Sequence, residues 1–327
     1  MEAYFDNAAT TKVFPEVKDL VVKLMEEDYG NPSSLHQKGL DAGHYIKETK
    51  EILAKEWKVD SKEIVLTSGG TESNNLALIG AALANKRSGN RIITTKVEHA
   101  SVSSTMAFLE SLGFEIIYLN VDHHGIVDLK QLEQEVNEDT ILVSVMYVNN
   151  EIGTVEPIQE IAEIIKEKNP KTLFHVDAIQ AFGKYHIYPK RMGIDLMSVS
   201  GHKIHGPKGT GALFIKNRTK VKPIIYGGGQ QDGMRSGTEN VPGFAGFGLA
   251  TKMVYEDLEA RTVRMRAVKD RLTERLKTLP DVYINEGEAP HILSVSFVGV
   301  RSEVMLHALE EREIYVSSGS ACSSNKP

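Results

Sequence analysis

The chain has 327 residues, enough for about two domains and for a core that needs neither a metal nor a disulfide to hold it. Its 38 Lys and Arg against 44 Asp and Glu leave a formal net charge of −6, which gives no general electrostatic hold on nucleic acid or an anionic membrane. With 41% hydrophobic and 25% charged residues and a single cysteine, it reads as an ordinary globular protein, and a secreted disulfide scaffold is excluded.

The N-terminus, MEAYFDNAATT, lacks a basic stretch followed by an apolar core, so it is not a signal peptide. The longest apolar-rich runs, 76–84 and 141–148, are far shorter than the roughly 20 residues of a membrane helix. A cytoplasmic chain is expected, acting on neither nucleic acid nor membrane. In chain order, the patterns predict helices over 15–28 and 34–57, a strand over 63–68, a helix over 71–86 and a strand over 91–96. A helix over 101–112 follows, then strands over 115–120 and 141–148, a helix over 158–168, and strands over 172–178, 195–200 and 211–215. Apolar strands between amphipathic helices predict an α/β fold, a mainly parallel sheet covered on both faces. A charged helix from about Ala250 to Leu279 should lead to a smaller α/β domain with a strand over 291–299, a helix over 301–313 and a Ser/Gly-rich end. The expected organisation is an N-terminal segment, 1–15, packing with the small domain; a large domain, 16–257; and a small C-terminal domain, 258–327.

In such sheets chemistry collects at the carboxyl ends of the strands. TSGGTESNN (67–75) ends a strand in two glycines, Gly69 and Gly70, before a helix. Either this is an anion cup involving Thr71, or it is a plain turn with Thr71 as its cap. SVSGHKIHGPKGTG (198–211) sets Ser200, His202, Lys203 and His205 among glycines just past a strand, where a shielded lysine becomes an amine nucleophile. His202 and His205 as metal ligands are disfavoured for want of a third ligand. Asp177 leaves a buried strand with Gln180 three residues on; it is either a helix cap or a carboxylate facing a protonated ring nitrogen. His99 closes another strand and, alone, reads as a partly buried structural histidine. Asn149 and Asn150 form an Asx turn or face a ligand. Five strands thus deliver Thr71, His99, Asn150, Asp177 and Ser200 with Lys203 to one edge. That set is suited to pyridoxal 5′-phosphate, PLP.

The blocks YFDNAATT, GNPSSLH, TSGGTESNN, VEHASV, VNNEIGT, HVDAIQ, SGHKIHGPKGTG, MRSGTENV and SSGSACSS run in order along nearly the whole chain. In these the chain resembles the cysteine desulfurases of the NifS/IscS class, which share the fold type I of PLP enzymes and belong among the class V aminotransferases. The resemblance implies that Lys203 binds the cofactor covalently, His99 stacks on its ring, Asp177 pairs with the ring nitrogen and Gln180 faces the ring hydroxyl. It further implies that Gly70, Thr71, Ser200 and His202 bind the phosphate, that Asn150 lies near ring and substrate, and that Thr238 reaches the phosphate of the neighbouring subunit of a homodimer. Cys322, in SSGSACSS, is then the nucleophile that takes sulfur from L-cysteine as a persulfide, leaving alanine. An iron–sulfur scaffold or another sulfur acceptor would receive the sulfur.

No resident metal is implied, beyond a transient sharing of an iron–sulfur cluster by Cys322 and a partner. Family members carry, beyond the cysteine loop, an arginine that clamps the substrate carboxylate. No residue here takes that role by motif, and the sequence is therefore expected to be a piece of a longer chain. The alternatives are a selenocysteine lyase or other class V PLP enzyme, and a non-catalytic sulfur-delivery or scaffold subunit. An aminotransferase would not need the cysteine loop.

Overall fold

The computed structural model describes residues 2–319. Strand β1 (Ala3–Tyr4) is followed by helices α1 (Pro15–Glu26) and α2 (Gln37–Trp57), then by β2 (Ile64–Thr67), α3 (Gly70–Asn85), β3 (Arg91–Thr95) and α4 (Ala100–Ser111). Next come β4 (Glu115–Leu119), α5 (Leu129–Glu135), β5 (Thr140–Met146), α6 (Ile158–Lys168), β6 (Leu173–Asp177), β7 (Leu196–Ser200) and β8 (Gly211–Ile215). The chain continues through α7 (Val241–Glu256), α8 (Leu258–Leu276), β9 (Val282–Asn285), β10 (Ser294–Phe297), α9 (Ser302–Glu310) and β11 (Ile314–Tyr315).

The central sheet has seven strands in the order β2-β8-β7-β6-β5-β3-β4. Only β8 runs against the rest, pairing antiparallel with both β2 and β7. Because side chains alternate across a strand, each strand feeds two cores. Val65, Ile92, Leu142, Leu196 and Leu213 face one layer with Leu76, Leu78, Val102 and Met106 of α3 and α4. Leu66, Ile93, Val143, Phe174, Val199 and Phe214 face the other, with α2, α6 and α7. Helix α6 shows why: its buried residues Ile158, Ile161, Ala162 and Ile165 recur at helical spacing along one stripe.

The long charged helix expected from about Ala250 is two helices, broken at Asp257, whose φ of −129° leaves the helical region. Its first half starts earlier, at Val241, and is buried along most of its length. Glycines in α7 make this possible: a Cβ on Gly248 would lie 2.8 Å from Thr49 Oγ1, so α2 and α7 touch at close range. Helix α5, short and capped by Asp128 on the amides of Lys130 and Gln131, had no counterpart in the sequence pattern. Beyond α7, β9 and β10 form an antiparallel hairpin, and β1 pairs parallel with β11, joining the two ends of the described chain.

Candidate active site

Strands β2, β3, β5, β6 and β7 run parallel, and the segments at their carboxyl ends open onto one cleft. Gly70, Thr71, His99, Asn150, Asp177, Gln180, Ser200, His202 and Lys203 all line it, joined by Ala8, Ala9 and Met146. The convergence expected of these scattered residues is therefore present.

Each is placed by a local device. Gly69 is the N-cap of α3 at φ 144°, a conformation that favours glycine, so the helix opens at Gly70 and Thr71 sits inside its first turn rather than capping it. The free amides of that turn and the helix dipole face the cleft, next to Ser200. Ser200 Oγ is buried and has no hydrogen-bond partner among the described residues. His202 hydrogen-bonds through Nδ1 to Thr10 Oγ1 at 3.2 Å. Burial, helped by Lys203, Lys208 and Lys184, pushes its pKa down to about 4, so it is neutral. His205 turns elsewhere: it stacks on Phe14 at 4.3 Å and its Nδ1 lies 2.8 Å from the Lys12 carbonyl. Among the described residues no group of three His, Cys, Asp or Glu is arranged to hold a metal.

Lys203 lies in a 3-10 turn, Gly201–Lys203, directly after β7. Its Nζ donates to the carbonyls of Ala8 (2.5 Å) and Ala9 (2.8 Å), which brings the N-terminal segment over the site. Beneath it, the buried Lys184 donates to the carbonyl oxygen of Lys203 at 2.7 Å. Burial, and to a lesser degree the charge of Lys203, lower the Lys184 pKa to about 7.

Asp177 ends β6 only 5% exposed. Burial raises its pKa, opposed by the Ile179 amide, the Asn74 amide and the nearby His99 and Lys203. Asn74 Nδ2 donates to Asp177 Oδ2 and to Ser101 Oγ, both at 2.8 Å. Ser101 Oγ in turn lies 2.8 Å from His99 Nδ1, which also accepts from the Ser101 amide at 3.1 Å. With Nδ1 occupied as an acceptor, His99 is left to donate through Nε2. One network thus orients the carboxylate and the imidazole together.

Asn149 makes the Asx turn, its Oδ1 accepting from the amides of Glu151 (2.9 Å) and Ile152 (3.0 Å), while Asn150 lines the cleft. Thr238 is exposed and does not line this cleft. The loop it sits on is tied down by Arg235, whose Nε donates to Glu72 Oε1 at 2.8 Å. Cys322 lies outside the described residues; Ser317 and Gly319, just before it, line the cleft.

Asn74 and Ser101 lay inside sequence blocks already singled out, yet only their spacing across the fold reveals their part. Ala8 and Ala9 act through backbone carbonyls and give no side-chain signal. Glu98, half-buried behind the site with its Oε2 shut off from water, accepts through Oε1 from the Thr95 hydroxyl at 2.8 Å and from the Met146 amide at 2.9 Å. Burial, with Asp177 and Glu156 adding smaller repulsions, pushes its pKa up to about 8.

A mainly parallel sheet that gathers a lysine, a buried carboxylate and an anion cup at one edge defines an enzyme scaffold for a phosphorylated, ring-bearing cofactor. The chain belongs to the Aminotransferase class-V family, whose profile matches residues 3–327. A cysteine desulfurase IscS from Dictyoglomus turgidum is 44% identical over 328 aligned positions, covering 99% of this chain and 83% of that protein. A solved NifS-like protein superposes with a TM-score of 0.95 at 40% identity, covering 97% of this chain and 88% of its own. Another solved relative, SspA in complex with cysteine, has a TM-score of 0.84 at 33% identity, covering 98% and 90%.

The family's cofactor is PLP. The residues present suit that group. Among the described residues, Ser200 Oγ beside the α3 amides has no partner and is a ready donor for a phosphate, and no cation touches the buried Asp177 directly, which leaves a place suited to a protonated ring nitrogen.

Proposed function

We propose that the chain is a PLP-dependent cysteine desulfurase that removes sulfur from L-cysteine and leaves L-alanine. The observation that carries this reading is the single cleft shared by Lys203, His99, Asp177 and the unpartnered Ser200 hydroxyl, with Gly319 on its wall. Cys322 follows Gly319 closely enough that the peptide chain limits their separation to about 10 Å.

When bound, PLP acts as the electron sink for charge developing at the substrate Cα. Gly70, Thr71, Ser200 and His202 would hold its phosphate, neutral His202 as a hydrogen-bond donor rather than a charge. Asp177, kept in place by Asn74, would pair with the ring nitrogen, Gln180 would face the ring hydroxyl, and Asn150 would lie near the ring and the substrate. Lys203 would anchor the cofactor, and its amine is placed to serve as the base for the substrate Cα proton. His99 carries a proton at the substrate thiol through Nε2. The Cys322 thiolate attacks the substrate sulfur: a C–S bond breaks, an S–S bond forms, and thiol plus cysteine become persulfide plus alanine. The persulfide is passed to an acceptor protein, for iron–sulfur cluster assembly or other thiolation.

The same reading includes a homodimer with shared sites, supported by Thr238 standing exposed outside its own cleft and by exposed Leu35 (95%) and Tyr226 (77%). It includes the division at residues 15 and 257 into N-terminal segment, large domain and small domain. Cytoplasmic work, where a thiol stays reduced, is proposed too; no helix among the described residues is long and apolar enough to cross a membrane.

The test is the visible spectrum of the protein loaded with PLP, before and after L-cysteine, with alanine and sulfide assayed alongside. A band that shifts with L-cysteine and yields alanine is expected. Failure to develop any band with added PLP would refute the reading.

A further inference from the structure

Gln180 is gripped from two sides. The backbone carbonyl of Ala8 can only accept, so the 2.9 Å contact to it fixes the Gln180 amide nitrogen on that side. The amide oxygen is thereby turned to His291, whose Nε2 lies 3.1 Å away. An amide oxygen needs a donor, so His291 carries its proton on Nε2. Its other nitrogen, Nδ1, is buried without a partner among the described residues, so a second proton there would be a stranded charge. Burial first, then the charges of Lys184, Lys269 and Lys203, hold the ring's pKa well below 6.5 and keep it neutral in this one tautomer.

The segment carrying His291 is itself pinned. The Ala289 amide donates to the Gly153 carbonyl at 2.9 Å, and Ala289 and Ile292 are buried against the turn that follows β5. Lys269 Nζ donates to the Ala289 carbonyl at 2.8 Å and to that of Gly287. A Cβ on Gly287 would stand 1.9 Å from the Ile152 carbonyl, so only glycine allows this approach. The Ala8 carbonyl that holds Gln180 also receives Lys203.

From this chain of contacts we propose that His291 is a positioning residue: it locks the Gln180 amide so that its remaining N–H, not a lone pair, is offered to the oxygen of the bound cofactor's ring. The inference rests on the PLP reading above. An N–H donor at that oxygen favours its ionised form and lowers the pH at which the bound cofactor's visible absorption changes.

The experiment is a pH titration of that absorption in the loaded enzyme without substrate, with thermal unfolding recorded in parallel. The variants are H291L, H291N, H291Q, Q180A and the double variant H291L/Q180A. Losing one hydrogen bond should raise the midpoint by about half to one pH unit in H291L and in H291N, whose amide is too short to reach. H291Q, whose amide nitrogen can stand where Nε2 stood, should return to within about 0.2 unit of the wild-type midpoint. The double variant should shift no further than Q180A alone. An unmoved midpoint in both H291L and H291N while Q180A moves, or shifts that add in the double variant, would overturn the role given to His291 and leave the cofactor assignment standing. A wild-type protein that shows no band with PLP would overturn both. Should H291L fail to fold, H291N against H291Q decides the matter alone.

Discussion

Glu98→Gln should change how stability depends on pH. The Glu98 carboxyl is shielded from water, and burial moves its pKa from 4.5 to about 8 in the folded state. Unfolded, it ionises near its ordinary value. Between those limits the native protein holds a proton that the unfolded chain has released, so stability falls as pH rises from about 4.5 to about 8 and is level above that. At about 1.4 kcal/mol for each pH unit of differential protonation, the full loss has a ceiling of about 5 kcal/mol. Glutamine keeps an oxygen for the Thr95 hydroxyl and the Met146 amide but has no proton to lose. Urea unfolding of wild type and E98Q from pH 5 to 9 should therefore give curves close together at pH 5. At pH 8 the variant should be more stable by several kcal/mol, within the ceiling above. Parallel curves across that range would refute the claim that this carboxyl stays protonated beside the site.

Asn74→Ala strips the donor from Asp177 Oδ2 and from Ser101 Oγ; a hydrogen bond to a charged group at that position implies a fall in kcat/KM of roughly tenfold to a hundredfold. A change under about twofold would show that Asp177 needs no such support. Cys322→Ser should abolish sulfide release from L-cysteine while leaving the cofactor band intact; a lost band would contradict the separation of roles between Cys322 and Lys203. Gly248→Val forces carbon into the 2.8 Å approach to Thr49 and should cost about 1–3 kcal/mol in thermal or denaturant unfolding without moving the spectrum.

Much of this protein is legible in its order of residues. Uniformly apolar runs such as 141–148 could bury both faces only in a covered sheet, and the observed β5 (Thr140–Met146) does so along its whole length. Lys203, Asp177 and His99 were recognisable because each follows such a run, and strands laid parallel bring their carboxyl ends to one edge. Other elements escaped because tertiary contact overrode local preference. Helix α7 carries glycines that weaken an isolated helix, yet those glycines let it lie against Thr49 and Val21. The break at Asp257 stands between residues that each favour helix, and the charge pattern runs through it unmarked.

The sequence by itself determined the layered α/β class and the chemical types gathered at the strand ends, because burial and periodicity are written residue by residue. Only the tertiary structure decided how those groups are held. Asn74 joins Asp177 to the Ser101–His99 pair over 103 residues of sequence, and His291 meets Gln180 across 111. Such contacts depend on distances between elements, and no periodicity or spacing within one segment encodes them.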